Sequence, residues 1–323
     1  MNPLSILLYA LGALVLLLIL LFQFSARTAR RIESFLPPSG FFVEVEGVRL
    51  HVRDEGKGPV LLLLHGLNGQ MAHFGFGAMR DLAQRYRVVA LDRPGSGYSS
   101  RPDGVSADLS TQARAIAALI EKLELGRPTV VGHSLGGATA LTLALEHPQR
   151  VGALALVAPL THVAAGVPPA FRALTIRSAW LRTLFARTLA VPAGIAASKK
   201  VLRVVFGPES VPSDFATRGG GLLSLRPGQF LAASSDLQAL AGHMPRLEAR
   251  YGELAALGIP VHVLFGRDDR ILDWRVNGQA LADKVPGSRL ELVDGGHMLP
   301  VTQPERTARF VEEAAATRQA LRA

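Results

Sequence analysis

The sequence contains no cysteine, which excludes disulfides, thiolate metal sites and a cysteine nucleophile. Its nine histidines include no H-E-x-x-H pair or similar ligand spacing, so we predict no metal site. Charged residues are also scarce, at 19% of the chain against 49% apolar residues, and this balance excludes general disorder. We expect the 323 residues to fold around one main core.

One segment lacks charge altogether. Residues 4–22, LSILLYALGALVLLLILLF, are almost wholly apolar and would reach roughly 28 Å as a helix, about the thickness of a hydrocarbon core. We predict a membrane anchor within residues 1–32 and a linker at 33–40, ESFLPPSG. A cleaved signal peptide is the alternative, but the run is long and the following FQFSARTAR has no small-x-small cleavage site.

The charges that flank this segment predict its orientation. Arg27, Arg30 and Arg31 follow it, and no Lys or Arg precedes it. Because cytoplasmic flanks carry the excess of positive charge, we predict a cytoplasmic catalytic domain and a single-pass protein.

Beyond the linker, strand and helix patterns alternate. FFVEVEGVRLHVRDEG predicts a β-hairpin turning at Glu46-Gly47. Continuous apolar runs, typical of strands buried on both faces of a parallel sheet, are PVLLLLHG, YRVVALDRPG, PTVVGHS, VGALALVAP, IPVHVLFG and SRLELVDGG. Helical patterns fall at 69–85, 110–125 with Ser110 as N-cap, 135–147, 274–284 and 304 to the end. The pattern predicts an α/β fold with a mostly parallel, twisted sheet and helices on both faces.

The alternation stops between residues 161 and 258, which show helical patches and a Gly219-Gly220-Gly221 break but no buried-strand run. We predict a helical cap here, inserted between the core segments 41–160 and 259–323. From 161 to 250 there are 11 Lys and Arg against four Asp and Glu, a difference of +7 out of the chain's +9. The excess either confers solubility or contacts anionic lipid headgroups; no nucleic-acid recognition motif accompanies it.

The segment Gly132-His133-Ser134-Leu135-Gly136 has the form G-x-S-x-G and lies between a predicted strand and a predicted helix, the setting that this motif requires. Glycines allow a sharp turn there, and the helix N-terminus favours an anionic intermediate beside Ser134. A serine nucleophile needs a base and an acid. We predict His297, in DGGHMLP, as the base; Asp268 and Asp269, in FGRDDRILD, both lie where the acid is needed.

The chain order Ser, Asp, His is that of the α/β-hydrolases, and from about Phe41 to Phe310 the sequence resembles this family in its capped serine-hydrolase branch. The family's G-x-x-D stretch falls on Asp269, which the resemblance implies as the acid, with Asp268 as the alternative. LLLLHGLNG resembles the oxyanion loop, which implies backbone N–H donors at Leu67 and Leu135. Stretch 91–100, LDRPGSGYSS, resembles the family's loop beside the site, and we expect its Asp92 and Arg93 to hold that turn, as His65 holds the oxyanion loop.

A serine at the nucleophile position implies an acyl-enzyme rather than epoxide opening or dehalogenation, which relatives perform with an aspartate. We therefore expect a membrane-anchored carboxylic ester hydrolase, an esterase or lipase-like enzyme that acts on a small lipophilic acyl substrate without a cofactor. Hydrolysis of a carbon–carbon bond, or perhydrolysis, on the same triad is the close alternative. A catalytically silent, membrane-tethered binding module is the alternative from another class.

Overall fold

An eight-stranded sheet forms the centre of the computed structural model, which describes residues 2–163 and 166–320. The strands lie in the order β1-β2-β4-β3-β5-β6-β7-β8. Their bounds are β1 Phe41–Val45, β2 Val48–Glu55, β3 Val60–Leu64, β4 Arg87–Leu91, β5 Thr129–His133, β6 Ala153–Val157, β7 Val261–Gly266 and β8 Arg289–Val293.

The pairing of these strands confirms the predicted hairpin and parallel sheet. β1 and β2 are antiparallel and turn at Glu46 and Gly47, both of which have positive φ. β2 also pairs antiparallel with β4, and the pairs from β4 through β8 are parallel. The central strands β5 and β6 are buried along their whole length because helices cover both faces, as their apolar runs require.

Helices after the strands cover the sheet, and three of them differ in detail from the prediction. They are α2 Ala78–Leu82, α3 Leu109–Lys122, α4 Leu135–Glu146, α9 Ala280–Lys284, α10 Leu299–Thr302 and α11 Pro304–Ala320. The helix predicted at 69–85 is a 3₁₀ turn, Met71–Phe76, followed by the short α2. The helix predicted at 274–284 is a π-helical turn, Arg275–Gln279, followed by the short α9.

The N-cap predicted for α3 was wrong. Asp108, not Ser110, caps the helix: its carboxylate accepts the Thr111 N–H at 2.7 Å. Ser110 lies inside the helix, where its hydroxyl donates to Glu146 at 2.6 Å. Asp108 precedes the first helical residue in extended conformation, which is the backbone geometry a side-chain cap needs.

Between β6 and β7 the chain runs through helices α5 Ala179–Arg187, α6 Ala190–Phe206, α7 Pro227–Glu248 and α8 Glu253–Ala256. In the described part of this segment, residues 161–163 and 166–258, there is no strand. α5 and α6 both pack on α7. This is the segment predicted as the cap; residues 164 and 165 of that prediction lie outside the described residues.

Helix α1, Pro3–Phe35, contains the predicted membrane segment and continues three residues into the predicted linker. It is long and apolar enough to cross a membrane, and its most apolar 18-residue window has a mean hydropathy of 2.9 and no buried residue. Its last three turns differ, because Ser25 and Ile32 are buried against the body of the protein. The Ser25 hydroxyl donates to the Thr188 carbonyl at 3.0 Å.

Candidate active site

Ser134 lies on a sharp turn between the central strand β5 and helix α4. Its backbone has φ 53° and ψ −121°, a conformation that a non-glycine residue rarely adopts. Hydrogen bonds hold this turn from the neighbouring strand: the Ser134 N–H donates to Val157 O at 3.1 Å, and the Ser134 carbonyl accepts from Leu160 N at 2.9 Å. The structure thus presents this serine at the carboxyl edge of the sheet.

Two glycines allow this turn to lie close to the end of β3. A β-carbon on Gly136 would lie 2.2 Å from the Leu64 carbonyl oxygen. One on Gly66 would lie 2.9 Å from the Ser134 β-carbon. Because backbone is the nearest neighbour at Gly136, no side-chain movement could relieve that clash.

His297 follows β8 and forms a hydrogen bond with an acid that follows β7. Its Nδ1 lies 2.7 Å from Oδ2 of Asp269, and both side chains are buried. The other oxygen of Asp269 accepts the N–H groups of Ile271 and Leu272 at 2.7 and 3.0 Å, so the turn itself orients the carboxylate. With Nδ1–H donated to a carboxylate, Nε2 of His297 is left as an acceptor.

The structure shows which of the two aspartates, Asp268 or Asp269, contacts His297; the residue pattern alone could not choose between them. Asp268 is exposed, and its backbone N–H donates to Gly295 O at 3.0 Å. Asp269 alone reaches His297, in agreement with the position that the family resemblance implied.

His133, which precedes the serine, joins the turn to the His297 loop. Its Nε2 donates to the carbonyl oxygen of His297 at 2.9 Å, and the two rings lie 5.0 Å apart. Burial is the main reason that the pKa of His133 lies well below 6.5. A neutral His133 keeps this donor role at physiological pH, and so holds the Ser134 and His297 loops together.

Leu67 and Leu135 line the same cavity as Ser134 and His297. Leu135 is the first residue of α4, and the first N–H groups of a helix have no partner within it. The Leu135 side chain is buried and packs in the hydrophobic core.

The loop that carries Leu67 is held by the residues expected to be structural. Nδ1 of His65 donates to Gly66 O at 2.8 Å, and its Nε2 accepts the Arg93 N–H at 2.9 Å. The pKa of His65 is well below 6.5, mainly through burial, so the ring stays neutral and keeps these two hydrogen bonds. Asp92 accepts N–H groups from Met71 and Tyr98, at 2.9 and 2.8 Å.

The cavity over Ser134 has a volume of about 400 Å³. The segment between β6 and β7 supplies much of its wall, from α6 (Val201, Leu202, Val205, Phe206) and from α7 (Leu237, Leu240, Ala241, Met244). Among its described lining residues there is no Asp, Glu, Lys or Arg. His73 also lines it, and burial lowers the pKa of His73 to about 4. The cavity therefore suits an apolar, uncharged group.

Sequence reasoning missed two polar residues beside the site. Both carboxylate oxygens of Glu209 accept the Gly296 N–H, at 3.1 and 3.0 Å, directly before His297 in the chain. The Gln70 amide donates to the Gly219 carbonyl in the triple-glycine stretch. These partners are 87 and 149 residues apart, and no local spacing predicts such pairs. Among the described residues, no group of three His, Asp or Glu is placed to hold a metal ion.

Comparison with known proteins agrees with this geometry at the level of the family. A family model for the alpha/beta hydrolase fold matches residues 59–304. The chain therefore belongs to the α/β-hydrolases, a class to which both the sheet order and the turn at Ser134 conform.

Individual relatives share about a quarter to a third of their residues with this chain. An uncharacterized protein of Mycobacterium tuberculosis is 32% identical over 88% of this chain and 83% of its own length. A 2-hydroxymuconate semialdehyde hydrolase of Pseudomonas putida is 29% identical, covering 88% of this chain and 97% of that protein. The crystal structure of a membrane phospholipase A, a bacterial virulence factor, matches with a TM-score of 0.67 and 26% identity, over 98% of this chain and 97% of its own.

Proposed function

We propose that this α/β-hydrolase is a membrane-anchored serine hydrolase that cleaves a carboxylic ester through an acyl-enzyme. One observation carries the proposal: Ser134, on its strained turn, and His297, bonded to Asp269, line one apolar cavity. A serine, a histidine with a free Nε2 and a buried carboxylate are the parts that acyl transfer requires.

In the proposed reaction, Oγ of Ser134 attacks the ester carbonyl carbon while Nε2 of His297 takes the hydroxyl proton. The tetrahedral intermediate collapses, the C–O bond to the leaving group breaks, and His297 returns the proton to the departing alcohol. Water then attacks the acyl carbon while Nε2 of His297 takes its proton; the bond from the acyl carbon to Ser134 Oγ breaks, His297 returns the proton to that oxygen, and the carboxylic acid leaves. Asp269 stabilises the imidazolium form in both halves.

We assign the oxyanion site to the backbone N–H groups of Leu67 and Leu135. Both residues line the cavity with Ser134, and Leu135 is the first residue of α4. These positions support the assignment, because fixed N–H dipoles stabilise the charge that develops on the carbonyl oxygen. Loss of one such donor typically costs about 100- to 1,000-fold in rate.

The proposed substrate is a lipophilic acyl ester. The cavity is lined largely by aliphatic and aromatic side chains, and a charged substrate would find no opposite charge among its described lining residues. Similarity over nearly the whole chain to a membrane phospholipase A supports a lipid-like acyl group.

We also propose that α1 remains as a single-pass anchor, with the catalytic part on the cytoplasmic side. The contact of Ser25 with Thr188 and the ion pair of Glu33 with Arg226, at 3.0 Å, support retention, because cleavage of the helix would expose surfaces that it now covers. Arg27, Arg30 and Arg31 after the apolar run support the orientation.

The test uses the full chain in detergent, because the end of α1 is part of the fold. Hydrolysis of p-nitrophenyl esters from acetate to palmitate is measured for the wild type and Ser134→Ala, and both are treated with an active-site fluorophosphonate. We expect a rate loss on the order of 10⁵- to 10⁶-fold in Ser134→Ala, and labelling of the wild type alone. Equal rates in both proteins would refute the proposed nucleophile, and failure of the fluorophosphonate to label would favour a silent binding module.

Hydrolysis of a carbon–carbon bond is the second candidate, and similarity to the P. putida semialdehyde hydrolase favours it. A muconate semialdehyde carries a carboxylate, for which the described cavity lining holds no cationic partner, and we therefore place the ester first. Turnover of a ring-cleavage dienoate with no turnover of any ester would reverse this order.

A further inference from the structure

Helix α5 has two faces of different character. Its inner face packs on α7, with the Phe185 and Phe230 rings 5.3 Å apart and Arg182 Nη1 3.1 Å from Gln238 Oε1. Its outer face exposes large apolar side chains: Trp180 is 69% exposed, and Leu181 and Leu184 are also exposed. Leu189, just after the helix, continues this apolar surface, although polar residues normally occupy such a face.

This apolar face lies beside the apolar part of α1. Phe22 of α1 borders a shallow groove whose other walls are residues of α5, among them Trp180 and Leu184, and the C-cap residue Thr188. One turn further along α1, Ser25 bonds to Thr188 at the end of α5. Phe22 is the last residue of the apolar run 4–22, so α5 is level with the end of the proposed hydrocarbon span.

The charges around α5 are of one sign. Residues 166–208 contain seven Lys and Arg and no Asp or Glu. Arg187, the last residue of the helix, and Arg177, two residues before its start, are both exposed. A short helix with Trp and Leu on one face and arginine at its edges is typical of a segment that lies in a membrane interface.

We infer that α5 is a second membrane contact, which inserts Trp180, Leu181 and Leu184 into the interface of the bilayer that α1 spans. The inference rests on the proposed anchoring by α1. The apolar side chains lie at the boundary of headgroups and acyl chains, and Arg177 and Arg187 lie at the level of the lipid phosphates. Because α6 and α7 pack with α5 and line the cavity, this contact sets the orientation of the active site relative to the lipid.

The two tryptophans of the chain, Trp180 and Trp274, allow a direct test. The full-length Trp274→Phe variant, in which Trp180 is the single reporter, is reconstituted into phosphatidylcholine and phosphatidylglycerol vesicles whose acyl chains are brominated near the headgroup. We expect the bromolipids to quench Trp180 strongly and aqueous iodide to quench it only weakly. The matched Trp180→Phe variant, with Trp274 as reporter, is expected to keep its emission in bromolipid.

Each outcome decides the inference. If the protein floats with the vesicles but Trp180 is quenched by iodide and not by bromolipid, α5 faces water: the interfacial contact is refuted and the anchor stands. If neither quencher reaches Trp180, a protein surface such as a second copy of this chain covers it, which also refutes the inference. If the protein does not float, the proposed anchor fails and this inference fails with it.

A second experiment places negative charges on the exposed face of α5 and compares activity on two kinds of ester. The Trp180→Glu, Leu184→Glu double variant should hydrolyse a water-soluble p-nitrophenyl ester at the wild-type rate, because neither residue lines the cavity. Its rate on an ester embedded in the same vesicles is expected to fall. Unchanged activity on the embedded ester would contradict a role for α5 at the membrane.

Discussion

Asp236 and Arg93 form a buried ion pair that joins α7 to the loop after β4. Arg93 Nη1 lies 3.1 Å from Asp236 Oδ2, and the two side chains are 0% and 1% exposed. The second oxygen of Asp236 accepts from Arg101 Nη1 at 2.5 Å. Arg93 also donates to the carbonyl oxygens of His65 and Gly66, at 2.9 and 3.2 Å. A carboxylate from the predicted cap therefore helps to hold the loop that carries Leu67.

Asp236→Asn should lower both stability and turnover. It leaves two buried guanidinium groups without their anion, which typically costs about 3–5 kcal/mol in the free energy of unfolding. Displacement of the Leu67 loop should reduce kcat more than it raises KM, by up to about 100-fold. Denaturant titration and ester kinetics measure both effects. Asp214→Asn is the matched control, because its pair with Arg218 is half exposed and contributes about 0–1 kcal/mol; equal effects of the two substitutions would contradict the role of Asp236.

Asp269→Asn should lower kcat by about 10⁴-fold while the protein stays folded. The amide cannot stabilise the imidazolium of His297, and it favours the wrong histidine tautomer. The adjacent Asp268→Asn is the control, since that exposed side chain should leave kcat within about twofold of the wild type. A larger loss in Asp268→Asn than in Asp269→Asn would reverse the assignment of the acid.

Gly136→Ala should destabilise the fold, because its new methyl group would meet the Leu64 carbonyl oxygen at 2.2 Å. Gly242→Ala, in the helix α7, places a methyl group where, among the described residues, no atom beyond the adjacent helix backbone lies within 4 Å. The second substitution is expected to raise the free energy of unfolding by about 0.4–1 kcal/mol, since it restricts the unfolded chain. Melting temperatures that move in opposite directions would support this account, and a stabilising Gly136→Ala would refute it.

Stability should decrease as the pH falls from about 6.5 to 4, and His73 should contribute to that decrease. Burial lowers the pKa of His73 from 6.5 to about 4 in the folded state, so the unfolded chain binds the proton first as the pH falls. The contribution of His73 to the free energy of unfolding is therefore fully present above pH 6.5 and is lost towards pH 4, with a magnitude on the order of 3 kcal/mol. The free energy of unfolding of wild type and His73→Gln, measured across this range, should show a shallower slope in the variant. His147→Gln, at a less buried position, should change the slope less, and parallel slopes for wild type and His73→Gln would contradict the prediction.

The strands and the turn at Ser134 could be predicted because their signals are local. The runs PVLLLLHG and PTVVGHS are apolar on both faces, a pattern that a parallel strand between two helix layers requires. G-x-S-x-G between a strand and a helix defines a backbone turn within five residues. The helix over residues 4–22 could likewise be predicted, because the length and the hydropathy of this uncharged run are local properties of the sequence.

The ends of the helices were predicted less well, because several neighbouring residues suit the same end position. Asp108 and Ser110 both suit an N-cap, and the backbone direction before Leu109 decided for Asp108. The helix α1 continued three residues into the predicted linker, to Phe35, because its Ile32 packs against the body of the protein. Propensity ranks residues for these positions, but packing selects among them.

Only the tertiary structure decided which distant groups meet. Asp269 rather than Asp268 reaches His297 because the carboxylate is oriented by the Ile271 and Leu272 N–H groups, a detail of one turn in three dimensions. Glu209 at Gly296 and Asp236 at Arg93 join residues 87 and 143 positions apart. The sequence by itself thus determined the fold family and the candidate nucleophile, since backbone geometry and burial leave short periodic patterns. Side-chain pairs across loops leave no such pattern, because their partners are brought together only when the sheet and the helices above it have packed.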